Sequence, residues 1–202
     1  MSINVDNYTE EERRELRQCV DTVTARADEC IRRETAPDLT GAYAWAEYST
    51  QEHYRYVLGR VWEPRLPRIV WVMLNPSTAT EEVLDPTITR CMTRSRAAGY
   101  GSLVVVNLFA WRETSPAVMK QRHAPVGPCN DEVILRECRV ASCVVAAWGK
   151  DGGHLGRAAA VTRMLQADGI SLMCIQRNYD GSPMHPLYVP MSKGFEPFSV
   201  TA

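Results

Sequence analysis

The sequence predicts an α/β protein: a three-layer sandwich with a central four-stranded parallel sheet, plus an N-terminal helix and an antiparallel hairpin. Four continuous apolar runs rich in β-branched residues are typical of strands buried on both faces; they cover residues 69 to 74, 103 to 106, 143 to 147 and 170 to 175. Helical patterns separate these runs. That alternation indicates right-handed β-α-β units with helices on both faces of the sheet. With 202 residues and 45% hydrophobic content, the chain is long enough for one sizeable domain and short for two.

The segments before the first run predict two further elements. Thr9 and Glu12 fit a capping box, and apolar residues follow at helical spacing to about Arg33, so residues 1 to 35 are expected to hold an amphipathic helix. Strand-like segments at 43 to 48 and 53 to 62 surround a short polar turn and predict an antiparallel hairpin over residues 42 to 63. We expect this hairpin to flank the main sheet.

Breakers and capping residues place the helices of the core, residues 68 to 190. The first helix is predicted over roughly 87 to 98, beginning near Pro86, with Asp85 or Thr87 as its cap. A second helix is predicted from about 130 to 140, with Asn130 as its cap, and a third from about 155 to 168, ended by Gly169.

The composition excludes several classes of protein. No stretch approaches the roughly 20 apolar residues of a membrane helix, and the amino terminus has no signal-peptide pattern, which predicts a soluble, cytoplasmic protein with no membrane partner. The seven cysteines are odd in number, and the four histidines show no metal-ligand spacing. We therefore expect buried free thiols, no metal and no cofactor.

Charge is distributed unevenly along the chain. Residues 1 to 85 carry 10 basic and 16 acidic side chains, whereas residues 86 to 202 carry 13 basic and 8 acidic ones. A positive carboxyl-terminal part favours a phosphate-bearing ligand. Unequal solvated faces on a protein that binds no nucleic acid would give the same asymmetry, and the sequence leaves the oligomeric state open.

Polar or aromatic residues follow each of the four apolar runs. Because parallel strands end at the same edge of a sheet, these residues are expected to line one cleft there, the usual ligand site of open parallel sheets. In chain order they are Asn75 and Ser77, then Asn107, Phe109 and Arg112, then Trp148 and Lys150, then Gln176, Arg177 and His185. His185 lies in a loop bounded by Pro183 and Pro186, not on an apolar helix face.

Structural interpretations of the same residues remain open. Asn75 either contributes to the cleft or makes a local turn with its own backbone. Phe109 and Trp148 are either stacking surfaces or core residues, and Arg112 could form an exposed ion pair with Glu113. Asp85 is either a helix cap or a base that activates water.

Six short motifs carry a family resemblance. They are Tyr54-Arg-Tyr56-x-Leu58-x-Arg60-x-Trp62, Leu74-Asn75-Pro76-Ser77-Thr78-Ala79, Asp85-Pro86-Thr87, Val106-Asn107-Leu108-Phe109-Ala110, Ala147-Trp148-Gly149 and His185-Pro186-Leu187-Tyr188. In this order, over about residues 40 to 190, they resemble the family called domain of unknown function 1643.

A more remote resemblance is to the uracil-DNA glycosylase superfamily. That fold is a four-stranded parallel sheet between helices, with one motif after the first strand and a His-Pro motif after the last. Leu74-Asn75-Pro76-Ser77 is similar to the Gly-x-Asn-Pro of the mismatch-specific branch, and His185-Pro186 is similar to the second motif.

This resemblance implies a hydrolase that cleaves the N-glycosidic bond of an unmodified or modified base in DNA, in repair or in defence against foreign DNA. Asn75 would orient water or read the base, His185 would donate to the departing base, and Asp85 would activate the water. The implied substrate-binding residues are Ser77, Asn107, Phe109 as a stacking ring, Arg112, Trp148, Lys150, Arg177 and Tyr188. Two alternatives remain: a module that binds a nucleotide or modified base without cleaving it, and an enzyme acting on free nucleosides or nucleotides.

Overall fold

The computed structural model describes residues 32 to 37 and 43 to 199, with side chains from residue 43 onward. These residues form one mixed sheet of eight strands and four α-helices. The α/β class is therefore confirmed. The helix predicted over residues 1 to 35 lies outside the described residues, except at its end, where residues 32 to 35 belong to a strand. Pairing with the next strand of the sheet decides the conformation there.

The structure assigns eight strands and four α-helices along the described chain. The strands are β1 (Arg32–Pro37), β2 (Tyr43–Tyr48), β3 (Arg55–Val61), β4 (Arg68–Met73), β5 (Ser102–Asn107), β6 (Cys143–Ala146), β7 (Leu172–Cys174) and β8 (Glu196–Phe198). The helices are α1 (Pro86–Ala97), α2 (Pro116–Met119), α3 (Asn130–Arg139) and α4 (Arg157–Ala167), with 3₁₀ segments at Lys150–Gly156 and Pro186–Tyr188.

The sheet is larger than the predicted one and is not purely parallel. Its strand order is β1-β2-β3-β5-β4-β6-β7-β8. The four predicted core strands are neighbours with parallel pairing, and antiparallel strands extend the sheet on both sides. The hairpin β2-β3 does not merely flank this sheet: β3 pairs with β5, with Leu58 opposite Val105. This pairing satisfies backbone groups that an edge strand would leave exposed.

Two hydrophobic cores lie on opposite faces of the sheet. Val70 and Val72 of β4 belong to the core that contains side chains of α3 and α4, whereas Ile69 and Trp71 belong to the core that contains side chains of α1. Successive side chains of a strand point to opposite faces, and helices cover both. This is why β4 reads as an unbroken apolar run.

The helix ends test the capping predictions. Asp85 caps α1 as predicted, because its Oδ1 accepts a hydrogen bond from Ile88 N at 2.8 Å. Gly169, with a positive φ of 76°, follows the end of α4, also as predicted. The prediction for Asn130 was wrong: its buried amide Nδ2 donates to the carbonyl oxygens of Asn107 and Leu108, both at 3.0 Å, and so satisfies the end of β5.

Within residues 43 to 199, five cysteines are free, and Cys91, Cys138 and Cys174 are buried. No helix of the described chain is long and apolar enough to cross a membrane. Among the same residues, no group of three or more histidine, cysteine or acidic side chains is arranged to hold a metal ion.

Candidate functional site

The carboxyl ends of the parallel strands meet at one edge of the sheet, and a cavity lies there. Met73 at the end of β4 is opposite Asn107 at the end of β5, and Val72 is opposite Ala146 at the end of β6. The cavity has a volume of about 470 Å³. That volume lies within the range of small-molecule binding sites.

Eight of the predicted site residues line this cavity. They are Asn75, Ser77, Asp85, Asn107, Trp148, Lys150, His185 and Tyr188. Asn75 and His185, which are 110 positions apart in the sequence, therefore border the same space. The predicted convergence is present in the structure, and the chemical roles of these residues stay predictions.

Asn75 has its side-chain amide fixed by two backbone carbonyls. Nδ2 donates to Pro76 O at 3.1 Å and to Glu113 O at 2.5 Å. Both amide hydrogens are used, so the orientation of the amide is determined. Oδ1 accepts no hydrogen bond from any described residue. Asn75 thus makes a local turn contact and also offers an oxygen acceptor at the cavity.

His185 is the N-cap of the 3₁₀ segment Pro186–Tyr188 and is half-buried. Its Nδ1 accepts a hydrogen bond from Leu187 N at 3.4 Å, which leaves Nε2 as the ring nitrogen that carries the proton. Burial lowers the pKa of His185 below its ordinary value of 6.5, and the Asp85 carboxylate opposes this shift to a smaller extent. At neutral pH the ring is therefore a neutral hydrogen-bond donor at the cavity.

The lowered pKa of His185 predicts a pH dependence of stability. The unfolded chain binds the proton more tightly than the folded chain, so the stabilisation is fully present above pH 6.5. It is lost as the pH falls from there through the folded pKa. We expect His185→Gln to show a shallower decrease of the unfolding free energy than the wild type over this acid range, measured by urea denaturation at a series of pH values. Parallel curves for the two proteins would contradict the assignment.

The loop that carries His185 is tied to the rest of the site. Arg94 of α1, which is 4% exposed, donates to Val189 O and Pro190 O, each at 2.7 Å. On the other side, Gly149 N donates to Pro183 O at 2.9 Å. The loop after β7 is thus fixed to both α1 and the end of β6, which holds the histidine at the cavity.

Asp85 lies at the cavity and caps α1 through Oδ1. The capping role that the sequence left open is therefore confirmed. Burial lowers the pKa of His185 and of Arg55, and the negative charge of the Asp85 carboxylate partly opposes both shifts through space. Its predicted role as a base stays a prediction.

Phe109 does not line the cavity, contrary to the stacking role expected for it. The side chain is fully buried in the core on the α3 side, together with Leu108 and Ala110. Its ring centroid lies 5.5 Å from that of His154. The chain leaves β5 after Asn107, and the following residues turn into this core.

Two of the predicted substrate-binding residues, Arg112 and Arg177, also lie outside the cavity. Arg112 borders an adjacent groove, where its Nη1 lies 3.5 Å from Glu52 Oε2; the open pairing with Glu113 is not formed, and Glu113 pairs with Arg122 at 3.3 Å. Arg177 donates to the backbone oxygens of Ser199 and Pro197 and covers the ring of Phe198. These contacts connect Arg177 to β8, a strand that the sequence analysis did not predict.

Several lining residues were not predicted, and Arg55 of β3 is the most unusual of them. It is 3% exposed and donates to Ala79 O. Desolvation by burial lowers its pKa to about 10, so it remains a cation at neutral pH. The signal available in the sequence was an arginine between two aromatic residues, Tyr54 and Tyr56, at the start of a predicted strand segment. The other unpredicted polar lining residues are Thr87, Glu113, Thr114, Asp151 and Asn178.

The fold and the cavity define the chain as an α/β protein with a ligand site at the carboxyl edge of its parallel strands. A family model described as "Protein of unknown function (DUF1643)" matches residues 55–187. The chain belongs to this family, as its motifs predicted. The match begins at Arg55 and extends past His185, so it includes every strand that borders the cavity. Neither the comparison with curated proteins nor the comparison with solved structures gave a match.

Proposed function

We propose that the cavity is the active site of a DNA glycosylase-like hydrolase, which cleaves the N-glycosidic bond of an unmodified or modified base in DNA, in repair or defence against foreign DNA. The observation that carries this proposal is the joint position of Asn75 and His185 on one cavity. One residue offers a fixed oxygen acceptor, and the other offers a neutral N–H donor. Hydrolysis of a base–sugar bond is aided by a group that positions the attacking water and by a donor to the departing base.

The proposed reaction begins with a water molecule held by Asn75 Oδ1. The water oxygen forms a bond to the anomeric carbon of the sugar, and the bond to the base nitrogen breaks with its electron pair going to the base. His185 donates a hydrogen bond from Nε2 to the departing base, and Asp85 takes the proton that the water loses. General acid–base groups of this kind contribute about 10²- to 10⁴-fold to a rate. The products are an abasic sugar and the base as an anion, which becomes the neutral free base when it takes up a proton from solvent, while Asp85 returns its proton to solvent.

The cavity also has apolar surface suited to a planar base. Trp148 is 3% exposed, and Ile88, Met73 and Val105 line the same space. The four parallel strands β5-β4-β6-β7, with helices on both faces, support the proposal that residues 68 to 190 are the counterpart of the glycosylase core. Lys150 is exposed at the cavity and would contact a phosphate of the strand.

An excision assay tests this function. Oligonucleotides carrying uracil, mismatched, oxidised or glycosylated bases are incubated with the wild type, and abasic sites are detected by alkaline cleavage. We expect excision from at least one substrate and a loss of about 10²-fold or more in His185→Ala. Circular dichroism establishes that the variant is folded. No excision from any single- or double-stranded substrate would overturn the proposal.

A second candidate function is a module that binds a nucleotide or modified base without cleaving it. This alternative is favoured because the acidic side chains at the cavity already make structural contacts. Asp85 caps α1, Glu113 accepts hydrogen bonds from Thr114 N and Ser115 N, and Asp151 pairs with Lys120. Ligand binding without turnover, together with little effect of Asp85→Asn on affinity, would distinguish this function from hydrolysis. Loss of affinity for long DNA as salt is added would identify the polymer, and not a free nucleotide, as the ligand.

A further inference from the structure

Arg55 is a buried cation without a carboxylate partner among the described residues. Its residue exposure is 3%, and the hydrogen bond that it donates goes to a backbone carbonyl, Ala79 O. Nε is buried and has no hydrogen-bond partner among the described residues. No carboxylate oxygen of the described residues lies within 4.0 Å of a guanidinium nitrogen of Arg55, the distance that defines an ion pair. Burial of a guanidinium without a paired anion is unfavourable unless another group supplies the charge.

The side chain borders the cavity from the side of β3. It lies there with Asn107, whose Nδ2 is also buried and has no partner among the described residues. Burial lowers the pKa of Arg55, and Asp85 is close enough to oppose this shift in part but makes no ion pair with Arg55. Two residues of the cavity lining thus each carry a buried N–H donor without a partner among the described residues, and one of the two, Arg55, is a cation at neutral pH. Donors without partners are suited to an oxygen or nitrogen atom that carries negative charge.

We propose that Arg55 makes the cavity selective for an anionic planar ring, and that in the proposed hydrolysis it stabilises the negative charge of the departing base. The second part rests on the proposed function. When the bond between the anomeric carbon and the base breaks, the electron pair remains on the base. The ring then carries negative charge until it takes up a proton. A fixed cation in a site that excludes water stabilises such a charge more than solvent does.

Arg55 also holds the loop between β4 and α1, and this structural contribution needs a matched control. Arg60, also on β3, makes the same kind of contact: its Nη2 donates to Thr80 O at 2.5 Å. Arg60 is fully buried and does not line the cavity. Arg60→Met therefore loses a loop contact without removing a charge from the cavity. Arg55→Met loses both, so the difference between the two variants isolates the cavity charge.

The first test measures binding and does not depend on catalysis. Barbiturate, a planar pyrimidine that is an anion at neutral pH, and uracil, a neutral analogue, are titrated by calorimetry into the wild type, Arg55→Met and Arg60→Met. We expect the wild type and Arg60→Met to prefer barbiturate by about tenfold or more, as for a charge-assisted hydrogen bond. Arg55→Met should lose this preference, and Arg55→Lys should recover part of it. Equal affinity of the wild type for both rings, or an unchanged preference in Arg55→Met, would overturn the proposal.

The second test separates this inference from the proposed function. This test uses a substrate from which the wild type excises the base. On that substrate Arg55→Met should lower kcat by about 100-fold with a smaller change in KM, because the negative charge develops mainly in the transition state. Full kcat in that variant would overturn the role in catalysis and leave the proposed function standing. Preference for barbiturate without any excision would uphold the anion site and overturn the hydrolase.

Discussion

Replacement of Asn75 by alanine is expected to lower the rate of base excision by about 100-fold or more. The change removes Oδ1, the acceptor proposed to hold the attacking water. It also leaves Pro76 O and Glu113 O without their shared donor. Single-turnover excision by the variant, measured below its unfolding temperature, gives the effect on the chemical step.

Two further variants distinguish the acceptor from the structural contacts. Asn75→Asp keeps an oxygen acceptor but places a second oxygen against the two carbonyls, and we expect it to lower the unfolding free energy by about 1–3 kcal/mol. Asn130→Ala is the matched control, because Asn130 also donates to two backbone carbonyls but does not line the cavity. If Asn130→Ala reduced excision as strongly as Asn75→Ala, the role proposed for Oδ1 would be wrong.

Replacement of Trp71 by alanine is expected to lower the unfolding free energy by about 3–5 kcal/mol. Trp71 lies on β4 in the middle of the sheet and is fully buried. Its Nε1 donates to Ser95 Oγ at 3.1 Å, and its ring packs edge-on against Phe195 at a centroid distance of 5.7 Å. The substitution would leave a cavity between the sheet and α1. Chemical denaturation measures this loss.

Smaller changes at the same contact separate the contribution of apolar packing from that of the indole hydrogen bond. Trp71→Phe keeps most of the apolar volume, and Ser95→Ala removes the acceptor of the indole N–H. We expect the second change to cost about 1–3 kcal/mol, because a buried donor is left without a partner. A loss below about 1 kcal/mol in Trp71→Ala would mean that α1 does not depend on this side chain for its packing.

Local sequence features were sufficient for the elements of the parallel core. The apolar run before Asn75 predicted β4 because a strand buried on both faces has few polar side chains. Asp85 and Pro86 marked the start of α1, since capping and a fixed φ act within one turn. The convergence of Asn75 and His185 also followed from sequence, because the carboxyl ends of parallel strands meet at one edge.

Tertiary contacts decided the rest of the site. Phe109 was expected at the cavity, but a side chain that follows a strand can point to either face of the sheet. In the structure it packs into the hydrophobic core. Arg177 follows β7 as predicted, yet its partners belong to β8, a three-residue strand too short to have a periodic pattern. Asn130 has the residue type of a cap, and its amide instead satisfies two distant carbonyls.

By itself, the sequence determined the α/β class, the core strands and helices, and the edge at which polar residues gather, because these depend on periodicity and on residues close together in the chain. The tertiary structure alone decided that β3 joins the sheet beside β5 and that Arg55 thereby reaches the cavity. The pairing of β3 with β5 depends on which strand of the sheet has unpaired backbone groups and on which side chains pack against that strand. Neither is encoded within one local segment.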